Sequence, residues 1–90
     1  MPERILEIAC FNLESAIIAE KAGADRVELC ENYELGGITP SQEIILRTKK
    51  SIQIPLHVII RPRGGDFNYS PEEIEKLKKD VLFCNTQFLF

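Results

Sequence analysis

The chain has 90 residues, of which 44% are hydrophobic and 28% are charged, and its formal net charge is -3. This length allows one domain at most, and the acidic balance lacks the concentrated positive charge that binding to nucleic acid or to an anionic membrane requires. The apolar runs are strand-sized, far shorter than the roughly 20 residues of a membrane-spanning helix, so no membrane span is expected.

The first predicted strand and helix occupy residues 5–23. Residues 5–9 form a short, mostly apolar run that is typical of a strand. Asn12 is a residue type that caps helix amino termini, and Gly23 is typical of the position just beyond a helix end. The buried face of this helix is expected to comprise Leu13, Ala16, Ile17 and Ala22.

The second unit runs from a predicted strand at residues 27–30 to a helix that ends near Lys50. Thr39 is expected to cap this helix, with Pro40 at its first position, where proline loses no intrahelical hydrogen bond. Pro55 then marks the start of the next strand.

The third unit has the clearest helix start. A predicted strand covers residues 56–60, and Ser70-Pro71-Glu72-Glu73 then has the sequence of a capping box with proline in the first turn. Apolar residues follow at helical spacing. They are Ile74, Leu77, Val81 and Cys84.

The order βαβαβα predicts an α/β fold with a parallel sheet, because a helix that crosses between successive strands makes them parallel. Side chains alternate between the faces of a strand, and the polar ones fall on one face of all three strands. That face carries Glu7, Arg26, Glu28, His57 and Arg61. Buried charges are costly unless they pair or reach a solvated cavity. This face therefore indicates either an ion network of Glu7 or Glu28 with Arg61, or the lining of a binding site.

Cys10, Cys30 and Cys84 are an odd number of cysteines without a C-x-x-C pair, which fits neither a disulfide framework nor a tetrahedral zinc site. The amino terminus lacks the layout of a secretion signal, so a cytoplasmic location is expected, where thiols stay reduced. We therefore interpret all three as free thiols, which pack as small hydrophobes when they are buried.

Several segments of the chain resemble the CutC copper homeostasis proteins. They are Leu6-Glu7-Ile8 followed by Cys10, residues 22–30 (AGADRVELC), residues 36–41 (GGITPS), and residues 54–67 (IPLHVIIRPRGGDF) with Tyr69-Ser70 beyond them. The last segment is similar to the most distinctive stretch of that family. The resemblance extends over residues 6–84 and covers the amino-terminal third of a family member.

The resemblance implies a partial (β/α) TIM-type barrel with its site at the carboxyl-terminal ends of the strands. A complete barrel needs about 250 residues, so three strand–helix units cannot close one. The expected domains are a partial CutC-like barrel, residues 1–84, and a divergent hydrophobic tail, residues 85–90, as in a truncated family member. The resemblance implies a mouth lined by Glu7, Cys10, Glu28, Cys30, His57, Arg61 and Arg63.

Copper homeostasis is the function that the resemblance implies, with Cu(I) as the expected ion. Cys10 and Cys30 end neighbouring strands, which lie about 4.8 Å apart, and thiolates are soft ligands that suit Cu(I). His57 is a candidate third ligand that lies deeper in its strand. By alternation, Cys10 shares the face of Ile8 and Cys30 the opposite one, unless the first strand ends before Cys10.

An alternative interpretation is a fragment of a TIM-barrel enzyme that binds a small anionic substrate. Glu7 or Glu28 is then the candidate general base, and Arg61 holds the anion through bidentate hydrogen bonds. The anion site would comprise Arg61, Arg63, Gly64 and Gly65. In a purely structural interpretation the two glycines only turn the chain, and Asp66 pairs with Arg63. The barrel loops that usually bind phosphate follow later strands, so no complete catalytic pocket is expected in this chain.

A third interpretation is a truncated protein that is active only as an assembly or not at all. A sheet of three strands has open edges with unpaired backbone groups, so self-association is expected. The apolar residues Phe88, Leu89 and Phe90 add to this tendency.

Overall fold

The computed structural model describes residues 4–87, so the predicted apolar end at residues 88–90 lies outside the described residues. The elements are β1 (Glu7–Cys10), α1 (Leu13–Lys21), β2 (Arg26–Leu29), a 3₁₀ turn (Tyr33–Leu35), α2 (Gln42–Ser51), β3 (Leu56–Val58) and α3 (Pro71–Gln87). The strands are parallel and lie in the order β1-β2-β3, which confirms the predicted α/β fold. No helix among these described residues is long and apolar enough to cross a membrane.

The starts of α1 and α3 agree with the local sequence signals. Asn12 Oδ1 accepts a hydrogen bond from the Ser15 amide at 2.7 Å. At α3, the Glu73 amide donates to Ser70 Oγ at 3.2 Å, and the Ser70 amide donates to Glu73 Oε1 at 2.7 Å. The predicted cap of α1 and the predicted capping box of α3 are therefore confirmed.

The predicted start of α2 is wrong. Ser41 caps this helix, because its Oγ accepts a hydrogen bond from the Ile44 amide at 3.3 Å, and the helix begins at Gln42 rather than Pro40. The Thr39 hydroxyl instead accepts a hydrogen bond from the Arg61 amide at 2.8 Å. Thr39, the residue expected to cap α2, is thus hydrogen-bonded to the segment that follows β3.

The core lies between the sheet and the helices. Val27 of the central strand is fully buried and packs in one cluster with Cys10, Ala16 and Ala19. The apolar face of the strands therefore packs under the helices, as the alternation of the sequence predicts. Ala22 was expected in this core but is exposed, because α1 ends at Lys21.

Helix α3 lies beside β3 across a cleft of about 730 Å³. Lys49 Nζ of α2 donates to the carbonyl of Gln87 at the end of α3. Leu56 and Val58 line the strand side of the cleft, and Val81, which is 39% exposed, lines the helix side. Apolar groups on both walls are thus left in contact with solvent.

Carboxylates hold the amino-terminal end of the sheet. Glu20 Oε2 of α1 accepts hydrogen bonds from the amides of Gln53 at 2.6 Å and Ile54 at 3.0 Å, just before β3. Asp25 Oδ2 accepts a hydrogen bond from the Leu6 amide at 2.7 Å, just before β1. These contacts fix the points at which two strands enter the sheet.

Replacing Glu20 with alanine is expected to lower the free energy of unfolding by about 1–3 kcal/mol, because two backbone amides lose a charged acceptor. Urea unfolding followed by far-ultraviolet circular dichroism measures this loss. Glu34→Ala, which removes an exposed carboxylate from the 3₁₀ turn, is the matched control and should change stability by less than about 0.5 kcal/mol. Equal losses in the two variants would show that Glu20 has no such role.

Candidate functional site

Glu7 contacts two basic side chains at the amino-terminal end of the sheet. Its Oε2 accepts a hydrogen bond from Arg26 Nε at 2.8 Å and lies 3.3 Å from His57 Nδ1. The predicted pairing of Arg61 with Glu7 or Glu28 is wrong, because among the described residues the Arg61 side chain donates to backbone carbonyls and neither carboxylate pairs with it. Glu7 begins β1, whereas Arg61 follows β3 at the opposite end of the parallel sheet.

Glu28 contacts Cys30 near the carboxyl end of the central strand. Cys30 Sγ donates to Glu28 Oε1 at 3.6 Å, and Cys30 is only 3% exposed. Burial, followed by the nearby Glu28 carboxylate, raises the pKa of the Cys30 thiol to about 11. The thiol is therefore protonated at neutral pH, and a metal ion that binds it must displace the proton.

Cys10 lies beside Cys30, but its side chain faces the other way. The Cys30 amide donates to the Cys10 carbonyl at 2.8 Å, which joins the ends of β1 and β2. Strand β1 includes Cys10, and its thiol packs in the core with Ala16 and Ala19. Burial raises the pKa of Cys10. The backbones of the two cysteines thus touch, while their side chains start from opposite faces of the sheet.

The three predicted metal ligands do not form one cluster. His57 lies against Glu7, whereas Cys10 and Cys30 mark the carboxyl ends of their strands. Within residues 4–87, no group of three or more His, Cys, Asp or Glu side chains is placed to hold a metal ion.

Arg61 joins the two loops at the carboxyl end of the sheet. Its Nη1 donates to the carbonyls of Leu35 at 3.0 Å and Gly37 at 3.3 Å, and its Nη2 donates to the carbonyl of Gly65 at 2.9 Å. The guanidinium carbon lies 5.2 Å from the centre of the Phe67 ring, a cation–π distance. An anion at Arg61 would have to compete with these three carbonyls.

Gly36 is required where Arg61 crosses the loop before α2. Its φ of +81° lies in the region that favours glycine, and a Cβ there would stand 2.9 Å from Arg61 Nη1. The sequence marks this position with Gly36-Gly37, but it gives no sign that an arginine from the third unit packs on it.

Arg63 is bound within its own loop and to the next helix. Its Nε pairs with Glu73, and its Nη1 donates to the carbonyls of Gly64 at 3.0 Å and Asp66 at 3.1 Å. Its Nη2 donates to Asp66 Oδ1 at 3.2 Å and to the Asn68 carbonyl at 3.0 Å. Hydrogen bonds to Glu73 and then Asp66 raise the pKa of Arg63. The structure thus contains the predicted pair with Asp66 and adds Glu73, which the sequence indicated only as a member of the capping box.

Comparison with known proteins identifies the family. The family model described as the CutC family matches residues 4–88. A CutC family protein of Erwinia tasmaniensis is 50% identical over 84 residues, which cover 93% of this chain and 34% of that relative. The human copper homeostasis protein cutC homolog is 51% identical over 77 residues, which cover 86% of this chain and 28% of that relative.

A solved structure extends this match to the fold. The crystal structure of the Streptococcus agalactiae protein named CutC superposes with a TM-score of 0.85 at 35% identity, covering 94% of this chain and 42% of that one. That relative has a TIM-barrel fold, so the predicted partial (β/α) barrel is confirmed. The chain spans about a third of the length of the curated relatives that it matches. This chain therefore belongs to the CutC family of copper homeostasis proteins.

Proposed function

We propose that this chain acts in copper homeostasis by holding Cu(I) between the thiols of Cys10 and Cys30. The observation that carries the proposal is the 2.8 Å hydrogen bond from the Cys30 amide to the Cys10 carbonyl, which holds the two strand ends side by side. Membership of a family that includes a human relative named as a copper homeostasis protein supports copper as the cargo.

The donor chemistry suits Cu(I), which prefers soft thiolate ligands. Two thiols on adjacent strand ends can share an ion when the Cys10 side chain turns out of the core at the end of β1. Both thiols have a raised pKa, that of Cys10 through burial and that of Cys30 at about 11. Cu(I) binding should therefore release protons and strengthen as the pH rises.

Replacing both Cys10 and Cys30 with serine is expected to weaken Cu(I) binding at least about tenfold, because a hydroxyl is a poor ligand for this soft ion. Competition with a chromogenic Cu(I) chelator, in the absence of oxygen, measures the affinity. Cys84→Ser is the matched control, because it removes a thiol that is not at the strand ends, and it should leave the affinity unchanged. Unchanged affinity in the double variant would reject the assignment of these two ligands.

The contacts of Arg61 and Arg63 argue against a small anionic substrate at their loops. Arg61 and Arg63 direct their donors at backbone carbonyls and carboxylates of their own loops. Of the two candidate general bases, Glu7 is held by Arg26, and Glu28 accepts a hydrogen bond from Cys30. In this chain we therefore assign the two arginines to loop structure.

We also propose that the chain works in the cytoplasm as an assembly of several copies. Within residues 4–87 the sheet has three strands, and the tendency of unpaired strand edges to bind other strands supports self-association.

A further inference from the structure

We propose that the loop of residues 31–38 is a lid over the Cys30 thiol and that the Arg61 side chain latches this lid shut. The loop follows β2, and Arg61 reaches it from the segment after β3. The inference rests on the proposed function for the ion that Cys30 would bind. Access to the thiol can be measured without copper, so a failed lid and a failed copper site give different results.

The loop closes on itself and joins the rest of the chain at one residue pair. The Glu31 amide donates to the Ile38 carbonyl at 2.9 Å, and the Ile38 amide donates to the Glu31 carbonyl at 2.8 Å. Inside the loop, the Asn32 carbonyl accepts hydrogen bonds from the amides of Leu35 at 3.1 Å and Gly37 at 3.2 Å. Because both bonds lie within the loop, the lid can turn about its two ends as one unit and keep them.

The far side of the lid lies against the Cys30 thiol. A Cβ built on Gly37 would stand 3.5 Å from Cys30 Cβ, 3.7 Å from its Sγ and 3.4 Å from Cε1 of Phe11. The φ of Gly37 is +93°, a conformation that glycine adopts without strain. The lid backbone therefore passes within about one methyl group of the thiol, which is 3% exposed.

Arg61 fastens the lid from outside the loop. Its Nη1 donates to the carbonyls of Leu35 at 3.0 Å and Gly37 at 3.3 Å. Its Nη2 donates to the Gly65 carbonyl at 2.9 Å, and its backbone amide donates to the Thr39 hydroxyl at 2.8 Å. The arginine is thus anchored to neighbouring segments, and opening the lid must break two hydrogen bonds from a charged donor.

Cys10 provides a reference thiol in the same molecule. It is 2% exposed, as deeply buried as Cys30, but it packs in the core with Ala16 and Ala19 of α1. Opening the lid uncovers Cys30 and leaves this core intact, whereas access to Cys10 requires the helix to leave the sheet. The latch therefore controls how fast an ion or a reagent reaches Cys30, and has no such control over Cys10.

Alkylation of the unmodified chain with iodoacetamide tests whether the lid opens locally. A sulfur–carbon bond forms, iodide leaves and the thiol proton passes to the buffer, and mass spectrometry of peptides gives the rate at each thiol. At one fixed pH, low concentrations of urea should change the Cys30 rate little, because lid opening exposes little surface. The Cys10 rate should rise with the slope of global unfolding. Equal slopes at the two thiols would overturn the proposal.

Removing the latch should speed the alkylation of Cys30. Arg61→Met keeps a long side chain but removes the donors to the lid, and the loss of two charge-assisted hydrogen bonds should raise the rate at least about tenfold. Arg26→Met is the matched control, because it removes an arginine that binds Glu7 at the opposite end of the sheet. This control should change the Cys30 rate less than about twofold. A Cys30 rate that Arg61→Met does not raise would overturn the latch.

Two glycines with positive φ separate lid opening from global unfolding. Gly36→Ala would place a Cβ 2.9 Å from Arg61 Nη1, whereas no atom of the described residues lies within 4 Å of a Cβ added at Gly23, whose φ is +101°. Gly23→Ala strains the folded chain whether the lid is open or shut, so it should raise the Cys10 rate at least about threefold and leave the Cys30 rate unchanged.

Gly36→Ala should raise the Cys30 rate at least about threefold, because the clash with the latch is relieved when the lid opens. An unchanged Cys30 rate in this variant would overturn the latch. A Cys30 rate that rises with that of Cys10 in Gly23→Ala would show that the thiol is reached only by global unfolding, and would overturn the lid.

Discussion

Replacing Leu29 with alanine is expected to lower the free energy of unfolding by about 2–5 kcal/mol, which is the usual cost of an emptied leucine site in a core. Leu29 is fully buried in the central strand, so neighbours on both sides hold the backbone and limit collapse around the cavity. A domain of this size is marginally stable, at roughly 0.05–0.15 kcal/mol per residue. The loss is therefore a large fraction of the total stability.

Urea unfolding followed by circular dichroism measures this change, with Leu82→Ala as the matched control. Leu82 is 66% exposed on α3, so its truncation leaves no buried cavity and should cost less than about 0.5 kcal/mol. A similar loss in both variants would mean that the packing around β2 does not dominate stability.

Raising the pH through the range of the Cys30 thiol is expected to destabilise the metal-free chain. Burial and the nearby carboxylate raise the pKa of Cys30 from the ordinary thiol value of 9.0 to about 11 in the folded chain. The folded state therefore holds this proton more tightly than the unfolded state does. The resulting stability is present in full below about pH 9 and is lost as the pH rises through about 11, a loss of roughly 3 kcal/mol.

Burial is the main cause of this shift, and Glu28, Cys10 and Glu7 oppose the thiolate as well. Urea unfolding at a series of alkaline pH values measures the slope of stability with pH. Cys30→Ser should flatten that slope, because it removes the titrating thiol. The same slope in the two proteins would contradict the raised pKa.

Local signals in the sequence predicted the elements well. Asn12 and the Ser70–Glu73 capping box start helices because their side chains accept hydrogen bonds from amides within the next turn, so no distant contact is needed. Strand alternation predicted which face carries the charges, since Glu7, Arg26 and His57 do meet there.

Partners that are distant in sequence could not be predicted in this way. The choice of Ser41 over Thr39 as the cap depends on Arg61, which binds the Thr39 hydroxyl across 22 residues of chain. The donors of Arg61 likewise reach carbonyls whose positions depend on the folded loops. These contacts depend on the tertiary structure, which a local sequence pattern does not predict.

The sequence left undecided whether the side chains of Cys10 and Cys30 lie on the same face of the sheet. Alternation places Cys10 and Cys30 on opposite faces if β1 continues through Cys10, and the structure shows that it does. The sequence predicted that both cysteines lie at the ends of neighbouring strands, and the inclusion of Cys10 in β1 determines that their side chains start from opposite faces. The proposed Cu(I) site requires the Cys10 side chain to turn towards Cys30, so the copper affinity of the chain tests the proposed site directly.

The central claim is best tested by the effect of Cu(I) on the urea unfolding midpoint of the original chain and of the Cys10→Ser, Cys30→Ser double variant. A ligand at about 100 times its Kd stabilises the folded state by about 2.7 kcal/mol when it binds only that state. The account predicts that Cu(I) raises the midpoint of the original chain and leaves that of the double variant unchanged. An unchanged midpoint in the original chain, or an equal rise in both proteins, would contradict it.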